Sequence, residues 1–174
     1  YYMDPEWQQW VYQFESRGRE VYDRRFDILQ ASSVLPGNDV ADIGAGTGLF
    51  TRLFSKQVGP EGKVYAVDIS RAFIDNILRE SRELGLKNVR PLLGRAEALT
   101  PDPADIAVAQ AMTQPVEALT LMRRWTRPGG LAVLPASEAA TGGLHNASGA
   151  IPNTDSGNPV LAVDAFDRDS SLSG

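Results

Sequence analysis

The chain has 174 residues, 43% hydrophobic and 22% charged, with a formal net charge of -5 and no cysteine. That size fits one domain with a single substantial core, at an ordinary globular composition. The acidic balance argues against general polyanion binding, and the missing cysteines exclude disulfides, thiol chemistry and Cys-ligated zinc. One histidine, His145, argues against a His-rich metal site. No run approaches the roughly 18 apolar residues of a membrane helix, and no secretory leader is visible. The expectation is a cytoplasmic protein without membrane or metal, and the opening Tyr1-Tyr2-Met3 leaves open that the chain is a fragment with its true start missing.

In chain order, "MDPEWQQWVYQF" reads as a helix. Asp4 is the N-cap, Pro5 lies in the first turn, and Trp7, Trp10, Val11 and Phe14 form a packing stripe. A second helical stretch, "REVYDRRFDILQASSVL", runs to Pro36-Gly37. On it Tyr22, Phe26 and Leu29 share helical spacing, while Arg17, Arg19, Arg24 and Arg25 belong to a solvated face with partners such as Glu20 to Arg24. Residues 1–35 are therefore an N-terminal helical extension.

The next segment, "VADIGAGTGLFT", opens with a buried strand, Val40, Ala41 and Ile43. Three glycines follow, and Leu49, Phe50, Leu53 and Phe54 then take up helical spacing to about Val58. "GPEG" is a turn and "KVYAVDIS" the second strand. Ser70 caps a helix with Ile74, Ile77, Leu78 and Leu84 on one face, which Gly85 ends. "NVRPLLG" is a third strand that Pro91 assigns to a sheet edge, and "ADIAVAQ" is a fourth. A helix from about Val116 to Trp125, the turn "RPGG" and a fifth strand, "LAVLP", complete the pattern.

Strands alternating with helices imply β-α-β crossovers. The predicted fold over residues 36–135 is an α/β Rossmann-like, doubly wound, mostly parallel sheet with helices on both faces. Such sheets bind ligands at the carboxyl ends of their strands. Residues 136–174 are rich in Gly, Ala, Ser and Asn and lack a sustained period. They read as a poorly ordered tail with one candidate edge strand at 160–166, so the C-terminal part of the fold is incomplete or divergent.

A glycine turn between a strand and a helix lets backbone approach a nucleotide closely. The dinucleotide fingerprint G-x-G-x-x-G fits at Gly44 and Gly46, but its third glycine would fall on Leu49, which is too large. The pattern is instead D-x-G-x-G-x-G, with Asp42 ahead of Gly44, Gly46 and Gly48. Asp68 ends the second strand, where a carboxylate can accept both ribose hydroxyls of an adenosine. Asp42 suits a positively charged ligand and would repel a pyrophosphate. An adenosine with a cationic, zwitterionic tail is S-adenosylmethionine.

From about Pro36 to Pro135 the chain resembles the class I S-adenosylmethionine-dependent methyltransferases, on "VADIGAGTGLFT", "VYAVDIS", "GRAEAL", "ADIAVAQ" and "RPGGLAVLP" in the family's order. The upstream "FESRGREVYDRRFDIL" is similar to the helix that precedes the core in a bacterial small-molecule-type subgroup. The resemblance implies that Gly44, Ala45, Gly46 and Gly48 line the cofactor, the first three along its methionine portion. It also implies that Asp68 holds the ribose, that Ile69 packs on the adenine, and that Ala96 and Glu97 flank it. Arg95 stands where the family often has the Asp that reads the adenine amino group. The aromatic-rich motif after the fourth strand is replaced by "AQAMTQP", and no catalytic base stands out.

The implied activity is methyl transfer to a small-molecule acceptor. From "GRAEAL" to "RPGGLAVLPASEAA" the chain looks more like the guanine methyltransferases of small-subunit ribosomal RNA, which makes RNA the alternative acceptor. A nicotinamide oxidoreductase and an inactive cofactor-binding domain are the alternatives of other classes.

Overall fold

The computed structural model describes residues 7–100, 102–109, 115–135 and 160–164. Its elements are α1 (Trp7–Phe14), α2 (Glu20–Asp23), α3 (Arg25–Ala31), β1 (Val40–Ile43), α4 (Leu49–Val58), β2 (Val64–Asp68) and α5 (Arg71–Glu83). They continue with β3 (Val89–Leu93), β4 (Ala104–Ala109), α6 (Pro115–Trp125), β5 (Thr126–Pro135) and β6 (Val160–Asp164). One six-stranded sheet has the order β3-β2-β1-β4-β5-β6. The first five strands are parallel, and β6 is antiparallel to β5. The expected doubly wound α/β sheet is therefore present, and Pro91 does lie on an edge strand.

Side chains of a strand alternate between its two faces, and here each face has its own helices. Ala41, Ile43, Tyr65, Val67, Ala107, Ala109, Ala132 and Leu134 pack with Ala118, Leu121, Met122 and Trp125 of α6. Val40, Val64, Ile106, Val108 and Val133 pack on the other face against Ile28 of α3 and Phe50, Phe54 and Val58 of α4. Ile77 of α5 joins Ala66 and Val89 on that second side. Asp42 shares the parity of Val40, so its carboxyl enters the α4 face.

Local signals explain most boundaries. The Ser70 hydroxyl accepts from the Phe73 N–H at 3.4 Å, and Gly85, at φ 68°, lets the Leu86 N–H reach the Ser81 carbonyl at 2.7 Å. Leu84 departs from the expected buried face: α5 ends at Glu83, and Leu84 is 53% exposed. The second helical stretch is two helices, because Arg24 interrupts it at φ -99°, ψ 13°. The predicted "RPGG" turn is drawn into the irregular start of β5, where pairing with β4 shifts between Ala104 and Ile106. The N-cap at Asp4, His145 and all of the tail except Val160–Asp164 lie outside the described residues. Among the described residues, no helix is long and apolar enough to cross a membrane.

Candidate functional site

Strand order reverses at β1, whose chain neighbour β2 lies on one side and β4 on the other. The crevice beyond the carboxyl end of β1 is thus the topological switch point where open α/β sheets take ligands. The glycine turn leaves β1 at this point and enters α4. Asp68 ends β2 beside it.

The turn's hydrogen bonds are largely spent on the protein itself. The Gly44 and Ala45 N–H groups donate to the Val67 carbonyl at 2.9 and 3.0 Å, and the Gly48 N–H donates to the Ala45 carbonyl at 2.9 Å. The Gly46 N–H donates to Asp68 Oδ2 at 2.9 Å, while Asp68 Oδ1 accepts from the Ser70 N–H at 2.8 Å. A phosphate cradle needs N–H groups aimed outward. Here those of Gly44, Ala45, Gly46 and Gly48 have acceptors, while Asp68 stands at the end of β2 and Asp42 lies buried behind the turn. Each Asp68 oxygen has accepted one of these bonds and keeps a second lone-pair direction for a hydroxyl donor.

Asp42 is fully buried. Its Oδ2 accepts from the Thr51 hydroxyl at 2.6 Å, and its Oδ1 has no partner among the described residues. Burial pushes its carboxyl up to about 7, against a Thr51 hydrogen bond that lowers it; repulsion from Asp68 adds to the rise. A buried acceptor of this kind calls for a donor, a proton or a cation.

Gly46 adds the complementary space: a Cβ there would meet nothing nearer than the Gly44 carbonyl at 3.9 Å. These residues fit an adenosine with a cationic tail. Asp68 would hold the ribose, the Gly44–Gly46 backbone would line the tail, and Asp42 would face its charge.

Three of the candidate residues direct their Cβ positions into packing. Gly48 is buried, and a Cβ on it would lie 2.8 Å from Ile77 Cγ1, so it lets α4 start close to α5. The Ala45 methyl is buried in the cluster with Ile77 and Val89, which leaves only its backbone for the site. The Ala96 methyl likewise joins the α6-side core. Ile69 is 52% exposed directly after Asp68, open to pack on a flat ring. Glu97 and Arg95 are exposed in the loop after β3.

That loop is held by residues with no local signal in the sequence. The buried Trp125 indole donates to the Ala96 carbonyl at 3.2 Å, and Arg124 Nη1 donates to the Glu97 carbonyl at 2.6 Å. Both bonds join positions far apart in the chain, so no spacing pattern reveals them. On the second helical stretch, the Arg25 guanidinium lies 4.1 Å from the Tyr22 ring centroid. Arg24 pairs with Asp27 at 3.5 Å.

Comparison with known proteins places this geometry among relatives. A family model described as a methyltransferase domain matches residues 40–130. A ubiquinone/menaquinone biosynthesis C-methyltransferase of Burkholderia mallei is 41% identical over 116 residues, covering 62% of this chain and 46% of that protein. The chain thus spans about half the length of the curated relatives it matches. An S-adenosylmethionine-dependent methyltransferase from Aquifex aeolicus superposes with a TM-score of 0.61 at 25% identity, over 75% of this chain and 72% of the other. The [4+2]-cyclase SpnF superposes at 0.57 and 25% identity, over 69% and 48% of the two chains.

Proposed function

This chain belongs to the methyltransferase-domain family, and on that footing we propose that it binds S-adenosylmethionine at the mouth of β1 and β2 and methylates a small molecule. The observation that carries the reading is the pair of carboxylates, Asp42 and Asp68, at a turn whose N–H groups are mostly spent internally. That arrangement favours a cationic ligand and disfavours a dinucleotide pyrophosphate.

When bound, S-adenosylmethionine supplies a methyl group on a sulfonium, a good leaving group. The protein's part is orientation. Asp68, fixed by the Gly46 and Ser70 N–H groups, holds the ribose hydroxyls. Asp42 balances positive charge from a buried position, where water screens it little. Ile69 and the loop around Ala96 and Glu97 bound the adenine. Aligning an acceptor about 3–3.5 Å from the methyl carbon provides much of the rate; a base is needed only where the acceptor must lose a proton.

The Burkholderia relative, named for C-methylation in ubiquinone/menaquinone biosynthesis, supports a small-molecule acceptor. Two of the arginines that would build an RNA surface, beside Arg95 and Arg123, have local partners: Arg124 serves the Glu97 carbonyl, and Arg127 pairs with Asp105 at 3.1 Å and Asp39 at 3.5 Å. The test is label transfer from methyl-labelled S-adenosylmethionine in a small-metabolite extract and in total RNA. Label in the metabolite fraction is expected; label confined to RNA would contradict the reading.

A further inference from the structure

The tip of the glycine turn is tied to the N-terminal helical segment. Glu15 directly follows α1, and its N–H donates to the Val11 carbonyl at 2.8 Å, so it continues the helix. Its carboxylate crosses to the turn. Oε1 accepts from the Thr47 hydroxyl at 2.6 Å, and Oε2 accepts from Arg52 Nη2 at 2.6 Å.

Arg52, one turn into α4, also donates to the Thr47 carbonyl at 3.1 Å and pairs with Glu80 of α5. Asn76 of α5 adds a bond to the same carbonyl at 3.4 Å. These are not solvated surface pairs: the Glu15, Arg52 and Glu80 side chains are 14%, 18% and 23% exposed, and Thr47 is 4% exposed. Thr47 is the only side chain larger than a methyl between Gly44 and Gly48. Its hydroxyl and its carbonyl are both engaged.

We propose that Glu15 is a positioning residue that couples docking of α1 to cofactor binding through Thr47. The inference rests on the reading that the glycine turn binds the cofactor. Gly46, which lines the proposed ligand space, immediately precedes Thr47, so the position of Thr47 sets that of the Gly46 backbone. A carboxylate supplied by the N-terminal segment fixes Thr47 from outside the sheet domain. By thermodynamic reciprocity, whatever the docked segment adds to ligand affinity, the ligand adds to docking. Among the described residues, Glu15 is the carboxylate that the N-terminal helical segment brings to this network, which makes it the point of control.

The test combines calorimetry with S-adenosylhomocysteine and amide exchange over residues 8–15 on the whole chain. In the wild type, the ligand should slow exchange in that segment. Glu15→Ala and Thr47→Val should each weaken binding about tenfold and remove the ligand's effect on the segment, with protection of β1 and β2 unchanged. Thr47→Ser keeps the hydroxyl and should restore affinity, which a mere packing role for Thr47 would not produce. Wild-type binding with equal affinity in Glu15→Ala overturns the coupling alone. No binding by the wild type overturns the cofactor reading and this inference together.

Discussion

One oxygen of the Asp42 carboxyl accepts from Thr51, and the other faces no donor among the described residues. Because burial raises this group to about 7 from its ordinary 3.8, the folded state binds its proton more tightly than the unfolded chain does. The resulting stability is fully present below the ordinary carboxylate range and is lost as pH rises through about 7. Unfolding measured across that window should show wild-type stability falling relative to Asp42→Asn. A cationic ligand favours the ionised form, so S-adenosylhomocysteine, whose tail carries an ammonium, should displace a proton on binding near neutral pH. Calorimetry in two buffers of different ionisation heat reads that proton directly. Identical heats would remove Asp42 from the ligand's charge balance.

Two glycines of the turn make a matched pair at the same scale. Gly48→Ala meets Ile77 at 2.8 Å at a positive φ of 85°. The left-handed conformation costs about 1–2 kcal/mol for a side chain, and overpacking adds about 1–3 kcal/mol, so thermal unfolding should shift markedly. Gly46→Ala has no such clash and only the strain of φ 55°. Its fold should lose about 1–2 kcal/mol, and its main defect should be in ligand affinity. A Gly46→Ala chain that binds S-adenosylhomocysteine normally would show that the open side of the turn is not the ligand side.

Among the elements, α5 was the most legible. Ser70 offered a cap, Ile74 and Ile77 a buried stripe and Gly85 a stop, and each signal acts within one turn of the chain. The break between α2 and α3 was not legible. Neither Gly nor Pro marks Arg24, and the stacking of Arg25 on Tyr22 and Phe26, at 4.1 and 4.5 Å, has no simple spacing rule. The role of α6 was hidden for another reason: it acts across the fold, where its Trp125 and Arg124 hold the loop after β3. Trp125→Phe keeps an aromatic ring but leaves the Ala96 carbonyl without that donor. We expect a loss of about 1–3 kcal/mol in stability, with faster amide exchange over residues 95–99. Unchanged exchange there would mean that the loop holds itself.

At the scale of the molecule, alternating strands and helices implied the parallel sheet, and Pro91 placed β3 at its edge. The switch point at β1 follows from the strand order, and the acidic mouth follows from which ends of β1 and β2 carry Asp42 and Asp68. The distribution of N–H acceptors within the turn was not readable, because it depends on how β2 sits beside β1. On the function proposed above, it is also the feature that would separate a sulfonium nucleoside from a dinucleotide.

Calorimetric titration of the chain with S-adenosylhomocysteine and with nicotinamide adenine dinucleotide, repeated on Asp68→Ala, tests that separation most directly. Binding of S-adenosylhomocysteine alone is expected. Loss of Asp68, with its charge-assisted hydrogen bonds, should weaken binding by about 1.5–3 kcal/mol. Binding of the dinucleotide without S-adenosylhomocysteine, or equal affinity in a folded Asp68→Ala chain, would contradict it.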